Sequence, residues 1–281
     1  MKKVIVLALA LLVGMVLVYN NWRERAEQKR QALDVPHQQE VPVTVEQSEE
    51  PEIRFPLPDA EPSTDEPDTQ QDSASQPAEA DKPLPPLDQS DDEMRTALID
   101  LVGQQKVVEL FNLRDIIRHI VVTIDNLPRE QYAAKFLPTK PVAGSFVVTG
   151  NEENKYISTA NYRRYTPYVE LLESLDVNTV VAIYTRLYPL FQEAYKNLGY
   201  PTAYFNDRLI DVIDNLLDTP DKKGLVELIQ PHVFYEYADE DLESLSAGQK
   251  VLLRMGNDNA MRVKAKLREY RHELTSGNAD E

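Results

Sequence analysis

Read from the amino end, apolar residues come first as one run, then almost vanish, then return at helical spacing. Val4 to Tyr19 carries no charge and consists of Val, Ile, Leu, Met and Ala, interrupted only by Gly14 and ended by Tyr19. Sixteen residues of helix rise about 24 Å, and extension to the interfacial residue Trp22 brings the span to about 28 Å, close to the ~30 Å hydrocarbon core. No small-residue cleavage site follows, since the sequence continues Val18-Tyr19-Asn20-Asn21-Trp22, so residues 4–22 are expected to stay as an anchor.

The apolar pattern resumes after Gln89. Ser90-Asp91-Asp92-Glu93 has the form of a capping box, and Met94, Ala97, Leu98 and Leu101 follow at three- and four-residue intervals up to Gly103. Leu113, Ile116, Ile117, Ile120, Val121 and Ile124 predict a second helix over Asn112–Asn126, stopped by Pro128. Phe146-Val147-Val148 and Lys155-Tyr156-Ile157 flank Gly150 and predict a short hairpin. Helices are expected over Ala160–Leu175 and Val177–Leu198, the second carrying a kink at Pro189 and ending at Gly199. Asn206 is expected to cap a helix through Leu217, followed by a short helix over Lys222–Ile229 and a strand-like Val233–Tyr237. Ser246-Ala247-Gly248-Gln249 is a second capping box opening Gly248–Met255, and a final helix covers Asn259–Leu274. The predicted fold is mainly α: a compact helical domain with a minor β-hairpin, preceded by one transmembrane helix and a disordered linker.

Charge sharpens this partition. The formal charge of -17 is uneven, because residues 34–90 hold fifteen acids against two bases, Arg54 and Lys82, together with eleven of the nineteen prolines. Such a segment buries too little apolar surface to offset its ordering entropy. The expected organisation is an anchor with a basic flank over 1–33, a disordered acidic linker over 34–89, a helical domain over 90–275 and a disordered tail over 276–281. Within the linker, Ile53-Arg54-Phe55-Pro56-Leu57-Pro58 stands out as a segment whose apolar side chains could occupy a partner groove. An acidic domain argues against nucleic acid as a partner, which needs a dense basic surface. The absence of cysteine removes disulfides and thiolate chemistry.

Lys2 and Lys3 before the apolar run have the form of a secretory signal-anchor, which predicts a single-pass protein of the bacterial inner membrane with its carboxy-terminal domain extracytoplasmic, in the periplasm. Arg23, Arg25, Lys29 and Arg30 on the other flank pull toward the opposite topology, although large domains translocate largely regardless of charge.

Candidate chemistry is mostly aromatic. Nine of the fourteen tyrosines fall between Tyr156 and Tyr204, and Tyr184, Tyr188, Phe191 and Tyr195 are spaced to share one helix face. As core this stripe would pack with its hydroxyls bonded nearby; as a groove, with Tyr200 and Tyr204 at its rim and Asn206 and Arg208 beside it, it would suit a peptide or a sugar. Glu193 and Asp207 are the carboxylates available for acid–base work on a cell-wall glycan, while Asp207 also suits a helix dipole and Arg208 suits an ion pair between helices. Arg262, Lys264, Lys266, Arg268 and Arg271 give the last helix a basic side, either a solvated face or a docking face for an anionic partner. His119, on the polar side of its helix, and His232 and His272 lack metal-ligand spacing, and no cofactor is expected.

Five blocks carry a family resemblance: Asp125-Asn126-Leu127-Pro128-Arg129, Tyr188-Pro189-Leu190-Phe191-Gln192-Glu193-Ala194-Tyr195, Gly199-Tyr200-Pro201, Tyr204-Phe205-Asn206-Asp207-Arg208 and Leu245-Ser246-Ala247-Gly248-Gln249-Lys250. Together they resemble the bacterial family of domain of unknown function 3014, over roughly Ser90 to Leu274. The resemblance implies an anchor, a Pro-rich linker and this domain in one chain, and attaches no activity. The sequence as a whole favours a membrane-anchored, non-catalytic binding or scaffolding module of the cell envelope, its partner an envelope protein or cell-wall glycan. The other readings are a glycan-processing enzyme and a purely structural spacer.

Overall fold

The computed structural model describes residues 53–57, 83–130 and 136–276. The expected anchor, most of the expected linker and residues 277–281 lie outside the described residues. Among the described residues the chain is mainly helical, with nine α-helices and a small antiparallel sheet. No described helix is long and apolar enough to cross a membrane.

A 3-10 turn at Leu87–Gln89 leads into α1 (Asp91–Val102), α2 (Gln104–Leu110) and α3 (Ile116–Asn126). The hairpin strands β1 (Val148–Gly150) and β2 (Lys155–Ile157) precede α4 (Thr159–Glu173), α5 (Val177–Asn197) and α6 (Phe205–Leu217). Strands β3 (Glu227–Ile229) and β4 (Glu236–Tyr237), then α7 (Glu240–Glu243), α8 (Ala247–Arg254) and α9 (Asn257–Thr275), complete the chain. The sheet runs β1-β2-β3-β4, every neighbour antiparallel, with Val148 opposite Ile157, Lys155 opposite Leu228 and Leu228 opposite Tyr237.

One large core joins the helices, with α3 packed on α5 and α6, and α9 packed on α4, α5, α6 and α8. A second, smaller apolar cluster of Ile157, Val226, Leu228, Tyr237, Leu242 and Leu253 sits beneath the sheet. The expected hairpin is present and grows to four strands. The segment expected as a helix over Lys222–Ile229 is instead β3 and its approach: Val226 and Leu228 are buried while Glu227 and Ile229 are exposed, a period of two rather than 3.6.

Two expected helix starts also move, each because a distant side chain supplies the cap, and the first expected capping box does not close although its helix starts at Asp91 as expected. Ser90 donates its hydroxyl to the carbonyl of Leu87 at 2.7 Å instead of closing a box, and Glu93 pairs with Arg186 at 2.6 Å. The helix expected from Asn112 begins at Ile116, because Asn112 donates to the carbonyls of Leu137 and Thr139, and Asp115 turns left-handed. Asp91 then accepts from the amides of Asp115 and Ile116 at 2.9 and 3.1 Å. Asn206 is not an N-cap, since α6 starts at Phe205 and its first turn is capped from α5. The Ser246–Gln249 box does form, with both reciprocal bonds present.

The linker is not featureless. Leu87 is buried in the main core, and Phe55 and Leu57 pack against it. Linker residues 53–57 are thus seated on the domain.

Gly256, between α8 and α9, has φ 83° and ψ 155°, a backbone region open essentially to glycine alone, and a Cβ there would lie 2.6 Å from the Tyr162 ring. Gly256→Ala is expected to cost about 2–4 kcal/mol from strain and overpacking together. Urea denaturation would show this as a lower midpoint, whereas an unchanged midpoint would contradict the packing of α9 on α4.

Candidate functional site

The loop between α5 and α6 reverses the chain so that the amino end of α6 faces the side of α5. A helix start leaves four amides without intrahelical partners. Here Gln192 Oε1 accepts from the amide of Phe205 at 2.8 Å, and Tyr188 Oη accepts from that of Asn206 at 3.3 Å. Gln192 is itself fixed, receiving the Tyr188 hydroxyl at 2.7 Å and donating to the carbonyl of Ala203 at 2.8 Å.

Since α5 caps α6, the polar side chains of the first turn of α6 are free to face outward, where they hold the segment Ile53–Leu57. Asp207 receives two successive amides, Phe55 on Oδ1 at 2.8 Å and Arg54 on Oδ2 at 3.1 Å. Two consecutive N–H groups turned toward one carboxylate form a small anion-holding concavity. Asn206 Nδ2 donates to the carbonyl of Phe55 at 2.9 Å, and the Tyr204 hydroxyl accepts from the amide of Leu57 at 3.3 Å. The Arg54 guanidinium reaches Asp211 at 2.8 Å, one turn further along α6, and stacks over its neighbour Phe55 at 5.5 Å.

The structure divides the sequence-predicted site residues into three groups. Tyr184, Tyr188, Phe191 and Tyr195 are buried, a ladder of rings running from Tyr184–Tyr188 at 5.5 Å to Tyr195–Phe205 at 5.4 Å. The stripe is therefore core, not the wall of an open groove. Tyr204 and Asn206 do meet a ligand-like segment, as does Asp207. Tyr200 and Arg208 belong to a separate joint around Asp125, whose side chain is only 4 % exposed. There Arg208 Nε reaches Oδ1 at 3.0 Å, Arg129 reaches Oδ2 at 2.7 Å, and the Tyr200 hydroxyl lies 3.3 Å from Oδ2. Arg208 thus fastens α6 to α3.

Glu193 lies on the exposed side of α5, while Gln192 faces the shelf formed by α6. Asp207 is committed to two amides and to Arg54, so the carboxylate singled out for acid–base work is occupied as a hydrogen-bond acceptor.

The expected basic side of α9 is also largely consumed within the domain. Lys264 is buried against the Thr219 carbonyl and Asp221, Lys266 is buried beside Glu269, Arg262 grips Glu173 and Arg271 grips Asp214. Arg268 is exposed. His119 is half-buried and tilted against Phe136 rather than solvated, and burial lowers its pKa; His232 and His272 are exposed. Among the described residues no group of three or more His, Asp or Glu side chains could hold a metal ion.

Sequence reasoning missed Gln192 and Asp211. The signal for Asp211 was available: Asp207 and Asp211 are spaced to share one helix face, and Arg54 is one of only two bases in an acidic stretch.

Residues 116–271, more than half of the chain, match the family described as "Protein of unknown function (DUF3014)". The chain belongs to this family. No curated protein and no solved structure matches it. The matched part of this DUF3014 protein includes α3, α5, α6, α8 and most of α9, so it carries both the Asp125 joint and the shelf on α6.

Burial raises the phenol pKa of Tyr195 from 10.0 to about 12 and raises those of Tyr165, Tyr184, Tyr188 and Tyr270 as well. The folded state then keeps protons that the unfolded chain loses near pH 10. Stability from Tyr195 is complete below that pH and is lost as pH rises through about 12, and the other buried phenols act in the same direction. In an alkaline titration, phenolate absorbance from the buried set should appear together with loss of helicity in one step. Ionisation of all tyrosines near pH 10 with the helices intact would contradict the buried ladder.

Proposed function

We propose that the chain is a non-catalytic binding or scaffolding module of the bacterial cell envelope, anchored in the inner membrane through residues 4–22 with its helical domain in the periplasm. Its contact surface is the shelf at the amino end of α6. The observation that carries this reading is the seating of Ile53–Leu57 on Tyr204, Asn206, Asp207 and Asp211 mainly through main-chain groups, the way a peptide-docking surface holds its ligand. Support also comes from the ordinary structural occupation of Asp207, which leaves no free carboxylate on the shelf first turn for acid–base work.

A photoreactive residue in place of exposed Thr202, two residues before Tyr204 of the shelf, tests this in intact cells. An adduct with an envelope component is expected, and Asp207→Ala should abolish it without loss of helicity. An adduct that survives Asp207→Ala, or none at all, would remove the shelf as contact surface.

A further inference from the structure

We infer that the shelf on α6 recognises short peptides presenting a basic, an aromatic, a proline and an aliphatic residue in that order, and that this chain's own Ile53–Leu57 is its resident occupant, closing the site in cis. The inference rests on the shelf being the contact surface and adds the ligand class and its competitor.

The ligand class follows from what each position of the segment meets. Asp207 and Asp211 present two carboxylates one turn apart, and the residue between them is Arg54. An acidic residue at that position would be repelled, and Arg54 is one of only two bases between residues 34 and 90. Phe55 and Leu57 pack on the main core, whereas Ile53 is 52 % exposed and contributes little. Pro56 falls at the one position from Arg54 to Leu57 whose missing amide costs no bond, because the amides of Arg54, Phe55 and Leu57 all find acceptors.

The occupant fits well enough to be held and incompletely enough to be displaced. Its ion pair with Asp211 is open to water, with Arg54 52 % and Asp211 44 % exposed, so it adds little. Asn206 is fully buried, yet its Oδ1 has no donor among the described residues, although its Nδ2 already bonds Phe55. A buried acceptor without a donor is costly, and a competitor that supplies one gains a bond the resident segment does not make. Residues 58–82 tie the segment covalently to the domain, and for tethers of such length the effective concentration is about millimolar. A weak occupant at that concentration screens out dilute, poorly matched peptides and yields to a better-matched one.

The test uses the full chain in detergent and a fluorescent peptide of sequence Ile-Arg-Phe-Pro-Leu. The variant R54A/F55A, altered only in a segment outside the helices, should bind the peptide about ten-fold more tightly than the parent, because its internal competitor is gone. Asp207→Ala should not bind. In the parent, hydrogen exchange at the amides of Arg54, Phe55 and Leu57 should be slowed equally at low and high protein concentration. Equal affinity of parent and R54A/F55A would overturn closure in cis. Failure of both to bind would overturn the ligand class, and protection that appears only at high concentration would assign the occupant to a second copy. Each of these outcomes is independent of the envelope adduct formed beside the shelf, whose absence would instead remove the shelf as contact surface.

Discussion

A helix that begins inside a protein must find acceptors for its unpaired amides, and α6 finds them on its neighbour. Phe205 and Asn206 are fully buried, so water cannot serve. Gln192 and Tyr188 of α5 serve instead, which fixes α5 and α6 in one register and one spacing. The aromatic ladder then follows as the filling between helices whose separation is already set. With capping done by α5, Asn206 and Asp207 are released to act outward on a second piece of chain.

The same economy of joints appears elsewhere. Asp125 gathers Arg129, Tyr200 and Arg208, tying the end of α3 to α6 and to the loop that precedes it. A buried carboxylate shared by two guanidinium groups is weak evidence for stability, but removing any member would strand the rest. At α8 the amides of Ala247 and Gly248 donate to the carbonyls of Arg129 and Leu127, closing the end of α3 from outside, and a Cβ on Gly248 would meet Leu216 at 2.6 Å. The sequence blocks that carry the family resemblance therefore coincide with the joints between helices, and one of them, Tyr204–Arg208, also carries the shelf.

Much of this was legible from residue order. Apolar spacing placed the long helices to within a few residues, and the Ser246–Gln249 box was read as it forms. The two shifted helix starts share one cause, since capping by distant groups leaves no local signature: Asp91 caps α3 and Gln192 caps α6, and neither is adjacent in sequence to the turn it completes. The spacing of Val226 and Leu228 does not reveal their strand, because three residues are too few for its period of two to show. The candidate site was half legible. Ile53–Pro58 was singled out as a docking segment, and Tyr204 and Asn206 as part of a groove, but nothing local in the sequence says that the one belongs to the other.

Residues 53–57 and the amino end of α6 form the contact on which both the shelf and its closure rest. Because the chain has no cysteine, spin labels at Ile53→Cys and Lys196→Cys, both exposed positions, report one pair without ambiguity. The distance distribution from pulsed electron resonance on the full chain is predicted to be single and narrow, and to broaden on Asp207→Ala. A broad distribution in the parent, unchanged by Asp207→Ala, would contradict it.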